Sequence, residues 1–166
     1  MEKFGPAVLE PPTPEETQTA LAEHPFVQGM DPKHLKMMAD IVGYQHFDAG
    51  KRIFQEGEAA ERLYLVVRGT VSLEVFHLNQ GTIPIQTVGA GEVLGSSWFV
   101  PPYRWKFDAK AEKATDALVF DTRLLLDMFD KHNDFGYEFM KRMAMIVDQR
   151  VNAAKEQLME MYAYRK

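Results

Sequence analysis

The chain has 166 residues, 46% of them hydrophobic and 26% charged, with a formal net charge of −5. That length supports one domain with a real core, and the acidic balance argues against a nucleic-acid surface, which carries a basic excess. No cysteine is present, no apolar run approaches the ~18 residues of a membrane span, and the start M-E-K-F-G-P-A-V-L-E lacks a signal-peptide core; disulfides, thiol catalysis and cysteine-held metals are excluded, and a soluble, cytoplasmic protein is expected.

Residues 1–16 combine Pro6, Pro11, Pro12 and Pro14 with Glu10, Glu15 and Glu16, the composition of a flexible arm. Thr17 to Glu23 can form two helical turns before Pro25. Asp31-Pro32 predicts a helix start, with the carboxylate as N-cap and proline at the first position. Leu35, Met38, Ala39 and Val42 follow at helical spacing, and Gly43 ends the segment. His24 and His34 lack a second ligand at metal spacing and read as surface or capping residues.

From Tyr44 the rhythm changes. Short runs of β-formers alternate with Asp48-Ala49-Gly50, Glu56-Gly57, Arg68-Gly69, Asn79-Gln80-Gly81 and Gly89-Ala90-Gly91. Strands are predicted over 44–47, 52–55, 63–67, 70–78, 82–88, 106–111 and 117–121, an antiparallel sandwich or jelly roll. Pro84 must sit on an edge or at a bulge.

Between the fifth and sixth of these strands lies the most unusual stretch. Gly89, Gly91 and Gly95 are too dense for a strand interior, and Ser96 and Ser97 follow the last of them. Their amides and hydroxyls are suited to an anion-sized backbone cradle. After Pro101 and Pro102 the residues alternate, with Tyr103, Trp105, Phe107 and Ala109 on one face and Arg104, Lys106, Asp108 and Lys110 on the other. Period two predicts a half-buried strand with the aromatic face inward. His46, His77 and His132 are isolated, and no H-x-H or H-E-x-x-H spacing occurs. No catalytic constellation or metal site is visible, so no enzymatic activity is expected.

Asp121 is placed to cap a helix through Leu124, Leu125 and Met128 that closes near Asn133. A longer helix begins around Asp134. Tyr137, Met140, Ala144, Val147, Val151, Ala154, Leu158 and Met161 are spaced alternately three and four apart, an unbroken a/d seam. From 137 to 162 this is ~39 Å of helix at about 1.5 Å per residue. A second apolar side, Phe139, Met143 and Ile146, stops near Val147. The expectation is that the first half packs on the β-rich part while the seam meets a second copy. The chain thus divides into an arm (1–16), a β-roll with flanking helices (17–134) and a dimerisation helix (135–166).

In order along the chain, Phe47-x-x-Gly50, Ile53-x-x-Glu56-Gly57, Leu63-Tyr64-Leu65-Val66, Arg68-Gly69-x-Val71, Val88-Gly89-x-Gly91-Glu92-x-Leu94-Gly95 and Ala117-x-x-Phe120-Asp121 resemble the cyclic-nucleotide-binding domain of the catabolite-activator type of bacterial regulator. The resemblance covers residues from about 20 to 160. It implies an α+β, mainly β fold: an antiparallel jelly roll with N-terminal helices and a long C-terminal dimer helix. It also implies a ligand cassette in which a glutamate after the last glycine meets the ribose 2′-hydroxyl and an arginine further on meets the cyclic phosphate. Here the glutamate position is Ser96, Glu92 belonging to the preceding turn, and strand phase puts Tyr103 where the arginine should project. Arg104 falls one residue out of phase unless a bulge rotates it.

Each lost contact to a charged partner is worth roughly 1.5–3 kcal/mol, so losing both weakens binding about 10²–10⁴-fold. The candidate pocket is Gly95, Ser96, Ser97, Tyr103, Arg104 and Trp105, with Trp105 and Phe107 partly filling it. A regulatory or sensor module is expected that does not bind cyclic AMP in the usual way. A pocket-filled scaffold for protein contacts and a working receptor using Arg104 remain open. No cofactor is assigned. The helix-turn-helix part that follows the dimer helix in this family is missing from the sequence, so DNA binding is not expected, and no protein partner is named.

Overall fold

The computed structural model describes residues 10–165. The first nine residues of the expected arm lie outside that range. Its last three residues already form a helix: α1 spans Pro14–Glu23, not 17–23, because Thr13 caps it through its hydroxyl, which accepts from the Glu16 amide at 3.1 Å. A 3₁₀ turn, Pro25–Val27, and α2, Pro32–Ala39, follow. Asp31 caps α2 as expected, accepting from the Lys33 amide at 2.9 Å. Gly43 does not end that helix. It opens the first strand.

Eight strands follow: β1 Gly43–Phe47, β2 Arg52–Phe54, β3 Arg62–Arg68, β4 Thr70–His77, β5 Gly81–Gly89, β6 Val93–Leu94, β7 Asp108–Ala111 and β8 Thr115–Asp121. They pair antiparallel into two four-stranded sheets, ordered β1-β8-β3-β6 and β2-β7-β4-β5. The jelly-roll expectation is met. β6, two residues long, was not foreseen, since its Val93-Leu94 is too short to show periodicity and gains its partner only across the fold, at Leu65 and Tyr64. β3 reads as an unbroken apolar run because both of its faces are buried, from Leu63 to Val67. Val71 and Leu73 of β4 and Ala109 and Ala111 of β7 face the same core. Pro84 sits on edge strand β5 and beside a bulge: Leu73 pairs with Gln86 and Glu74 with Pro84, leaving Ile85 as the extra residue.

The Arg68-Gly69 turn between β3 and β4 can only be glycine. Gly69 has φ +102, and an added Cβ would lie 2.5 Å from the Ala114 carbonyl oxygen. The turn brings β4 hard against the start of β8.

The chain divides into two compact units, the first ending at Asp127 and the second beginning at Met128. The boundary falls within α3, Thr122–Lys131, which the Asp121 carboxylate caps by accepting from the Arg123 amide at 2.9 Å. In the second unit α4, Asn133–Ala163, is a single helix of 31 residues, ~46 Å long. Phe129, Phe135 and Phe139 form a three-ring cluster with centroids 5.2–5.8 Å apart. Gly136 lets the chain pass Phe129, whose Cβ a new methyl would meet at 2.9 Å. The second apolar side is real: Phe139 and Met143 are fully buried and Ile146 half-buried. From Val151 onward every described residue is exposed.

Candidate functional site

β6 delivers the chain to Gly95, whose φ is +106. A Cβ there would stand 2.8 Å from Cη2 and 3.1 Å from Cζ3 of Trp105. The outer rim of the indole's six-membered ring therefore packs against the glycine turn, and only glycine leaves room for it. One face of the ring stacks on Phe54, with centroids 3.8 Å apart and planes within 8°. The main chain of Trp105 is pinned as well: its amide donates to the Glu58 carbonyl at 2.9 Å and its carbonyl accepts from the Gly57 amide at 2.8 Å. At 6% exposure, Trp105 is a wedge between the glycine turn and β2.

The rest of the expected inward face is not inward. Tyr103 is 50% exposed and Phe107 36% exposed, so of the four alternating residues only Trp105 and Ala109 are buried. The alternation fails because the strand is shorter than predicted. β7 begins at Asp108, while residues 103–105 pair with 58–60 instead, through the Ala59–Arg104 bridge and the Ala60 amide donating to the Tyr103 carbonyl at 2.9 Å. Tyr103 also has φ +60, a left-handed conformation uncommon outside glycine. That angle reverses the chain and cancels the phase argument placing the phenol where the family's arginine projects.

Arg104 is exposed and donates from Nη1 to the Gly57 carbonyl at 2.8 Å. Ser96 and Ser97 are half-buried; Ser97 opens a 3₁₀ turn, Ser97–Phe99, and the Ser96 side chain makes no capping bond to it. Glu92 belongs to the preceding turn, accepting from the Gly89 amide at 2.6 Å.

The six candidates thus fall into two groups. Gly95 and Trp105 meet at the glycine turn, with Ser96 next in chain. Tyr103 and Arg104 instead line an open cleft of about 330 Å³, with Trp98, Glu61, Arg123 and Leu126. Gly95, Ser96, Ser97 and Trp105 take no part in that cleft.

Such a β-roll, with a glycine turn running into a short 3₁₀ segment, is matched in sequence by the family described as "Cyclic nucleotide-binding domain" over residues 44–132, more than half of the chain. The chain belongs to this family. The fold agrees. A putative cyclic nucleotide-binding protein from Geobacter metallireducens superposes with a TM-score of 0.71 at 24% identity, covering 85% of this chain and 99% of that one. A cyclic nucleotide-binding domain from Methylobacillus flagellatus gives 0.75 at 16% identity, with 89% and 83% covered. The Thermus thermophilus catabolite activator protein gives 0.66 at 22% identity, with 83% of this chain but 63% of that longer one. No curated protein matches.

This cyclic nucleotide-binding domain also holds a polar centre that its sequence did not disclose. Asp116 of β8 is fully buried and accepts from the Tyr44 hydroxyl at 2.7 Å, from Arg68 Nε at 2.9 Å and from Arg68 Nη2 at 2.5 Å. His46 Nδ1 stands 2.8 Å from the same carboxylate, and Nε2 lies 3.1 Å from Asp48. His46 is therefore not isolated. Its pKa is raised, first by the hydrogen bond to Asp116, against a smaller opposing effect of burial. Desolvation, then the Asp116 hydrogen bond, pushes the Tyr44 phenol up. The partners are 48 and 70 residues or more from Asp116, so only strand register joins them. A lone Asp in an apolar strand was the available signal.

His24 and His34 are likewise buried rather than superficial, each at 4% exposure. His24 caps the first 3₁₀ turn, accepting at Nδ1 from the Phe26 amide, while Nε2 lies 3.0 Å from the Val66 carbonyl. That pairing requires a neutral ring with the proton on Nε2, and burial, the dominant effect, lowers the His24 pKa. Among the described residues no cluster of three His, Asp or Glu could hold a metal ion, and no helix is long and apolar enough to cross a membrane.

Proposed function

We propose that this cyclic nucleotide-binding domain is a non-enzymatic regulatory module whose cassette is closed by its own indole and does not take cyclic AMP in the usual way. The observation that carries the reading is Trp105, wedged between Phe54 and the Gly95 backbone. A nucleotide phosphate approaching that glycine turn would have to displace a stacked, nearly buried ring. Neither family contact is replaced nearby: position 96 carries a short neutral hydroxyl, and the side chain at 103 stands half in solvent on a left-handed backbone. Arg104, which could act as a substitute, is already engaged with the Gly57 carbonyl. The proposal extends to pairing of two copies through the seam of α4, whose residues Tyr137, Val147, Val151, Leu158 and Met161 are between 37% and 72% exposed in the single chain, with Ala144 and Ala154 exposed and Met140 half-buried.

Isothermal titration with cyclic AMP tests the cassette. The wild type is expected to bind at least about 10²-fold more weakly than a domain keeping both charged contacts. Trp105→Ala, which opens the space over Gly95, should reveal any residual affinity of the turn for anions. Low-micromolar binding by the wild type, abolished by Arg104→Ala, would overturn the proposal in favour of a receptor that reads the phosphate with Arg104. A thermal-shift panel of cyclic nucleotides, nucleotides and small anions extends the test to other ligands, since a millimolar ligand with a Kd of about 10 μM stabilises by about 2.7 kcal/mol.

A further inference from the structure

The cleft beside the cassette is held in shape by main-chain bonds on both of its sides. Ala59, Ala60 and the buried Trp98 form its floor. On one side residues 58–60 bond to 103–105: the Trp105 amide donates to the Glu58 carbonyl and the Ala60 amide to the Tyr103 carbonyl, both at 2.9 Å. On the other, Arg62 pairs with Asp121, and the Thr122 amide donates to the Glu61 carbonyl at 3.1 Å. Tyr103 forms the wall on the first side, and Arg123 and Leu126, on the first turns of α3, form the second. The Tyr103 backbone, at φ +60, is disfavoured for a side chain of this size. Two bonds hold it there, its carbonyl accepting from Ala60 and its amide donating to the Val100 carbonyl at 2.8 Å. The phenol is thereby kept half exposed at the cleft instead of entering the core.

Size and lining decide what fits. A cavity of about 150 Å³ holds benzene, so about 330 Å³ admits one aromatic or branched aliphatic side chain with its adjoining backbone. In so open a cleft a small molecule would keep one side in water, whereas small-ligand pockets cover about 70–90% of what they bind. Apolar surface also continues along the chain from Pro102 through Pro101 to Val100, all exposed. A polypeptide brings its own cover for both. The charges set its chemistry. In a chain of net charge −5 this cleft presents two guanidiniums and one carboxylate, those of Arg104, Arg123 and Glu61. Arg104 donates to the neutral Gly57 carbonyl at 2.8 Å and meets no carboxylate among the described residues. Arg123 has a loose surface pair, its Nε standing 3.6 Å from Asp121. Carboxylates of a partner complement both.

We infer that this cleft docks a partner polypeptide through one large apolar side chain flanked by carboxylates, with Arg104 and Arg123 reading the acids and Tyr103 and Leu126 holding the anchor. The contact stands apart from the cassette, since Gly95, Ser96, Ser97 and Trp105 do not line the cleft. Its test therefore does not depend on whether the cassette takes a nucleotide.

Fluorescein-labelled pentapeptides Glu-Asp-X-Asp-Glu, with X as Phe, Trp, Leu, Met or Ala, are titrated with the full chain and followed by fluorescence anisotropy, beside Lys-Arg-Phe-Arg-Lys. At least one peptide with a large X is expected to bind with a Kd below about 1 mM, the Ala and basic peptides being at least about tenfold weaker. Leu126→Asp, and Arg104→Gln combined with Arg123→Gln, should each weaken the acidic peptide about tenfold. Glu61→Lys, at an exposed position, should strengthen it about threefold by replacing a repulsion with an attraction. A damaged fold does not gain affinity, so this variant separates recognition from misfolding. No binding by any peptide, equal binding of acidic and basic peptides, or indifference to Leu126→Asp would overturn the inference. Displacement of the peptide by free phenylacetate as effectively as by unlabelled peptide would overturn it in favour of a small-carboxylate site. Self-association of the protein that blocks the peptide and is abolished by Leu126→Asp would overturn it in favour of a contact between copies of this chain.

Discussion

Placing a methyl group at Gly95 tests the geometry on which the closed cassette depends. In the wild type, Gly95→Ala has two costs. The backbone at φ +106 disfavours any Cβ by about 1–3 kcal/mol. The new Cβ also lies 2.8 Å from the indole, which is held by its stack on Phe54 and by the main-chain bonds of Trp105 to residues 57 and 58; such overpacking costs about 1–3 kcal/mol more. The expected total is about 2–6 kcal/mol, a large share of the ~5–15 kcal/mol that keeps a domain folded. Trp105→Ala alone should cost about 3–5 kcal/mol through its cavity. In that background the closest of the other neighbours recorded at Gly95 is the Arg62 carbonyl oxygen, at an ordinary 3.5 Å, and Gly95→Ala retains the backbone cost. A double-mutant cycle by urea unfolding, followed by far-ultraviolet circular dichroism, should therefore show a coupling of about 1–3 kcal/mol. Additivity within about 0.5 kcal/mol would mean that the indole does not cover Gly95, and the account of the closed cassette would fail.

Three further outcomes are expected. The two histidine interactions, His24 buried and His46 half-buried, act in opposite directions with pH: His46, whose pKa is raised above 6.5, stabilises fully below pH 6.5 and loses that contribution as pH rises through its folded value, whereas His24, whose pKa is lowered, stabilises fully above pH 6.5 and loses its contribution as pH falls toward its folded value. In unfolding experiments from pH 5 to 8.5 the deficit of His46→Asn should shrink as pH rises; a deficit growing with pH contradicts the Asp116 pairing. Asp116→Asn strips Arg68 of its counter-charge and should cost about 3 kcal/mol, the lower end for a broken buried pair because Arg68 reaches solvent; a loss under about 1 kcal/mol would show that the cluster does not bind β1, β3 and β8 together. Val151→Asp with Leu158→Asp, at positions 61% and 53% exposed, should sediment as a monomer with unchanged circular dichroism, and a persisting dimer would remove α4 from the interface.

Local patterns made much of this chain legible. Seven of the eight strands follow from β-formers between turn residues, and the helix caps at Asp31 and Asp121 follow from side chains that satisfy the next exposed amides. Pro84 had to lie on an edge or a bulge because it lacks an amide to donate, and it lies beside both. The seam of α4 is a spacing rule, read without any partner element. The cassette was less readable. Its period-two reading carried an alternating face back through Phe107 to Tyr103, and a single left-handed residue and a change of pairing partner broke that phase.

What the sequence determined by itself is what depends on neighbours a few residues away: turns, caps, periodicities and the motif order that identifies the domain family. Tertiary structure alone decided which distant residues share a site. Asp116 gathers Tyr44, His46 and Arg68 because β8 lies between β1 and β3, an order no local pattern encodes. Trp105 covers Gly95 because its backbone pairs with residues 57 and 58 rather than continuing β7. Strand order and a reversed backbone angle are settled by the collective burial of the core, and they determine which side chains reach the glycine turn.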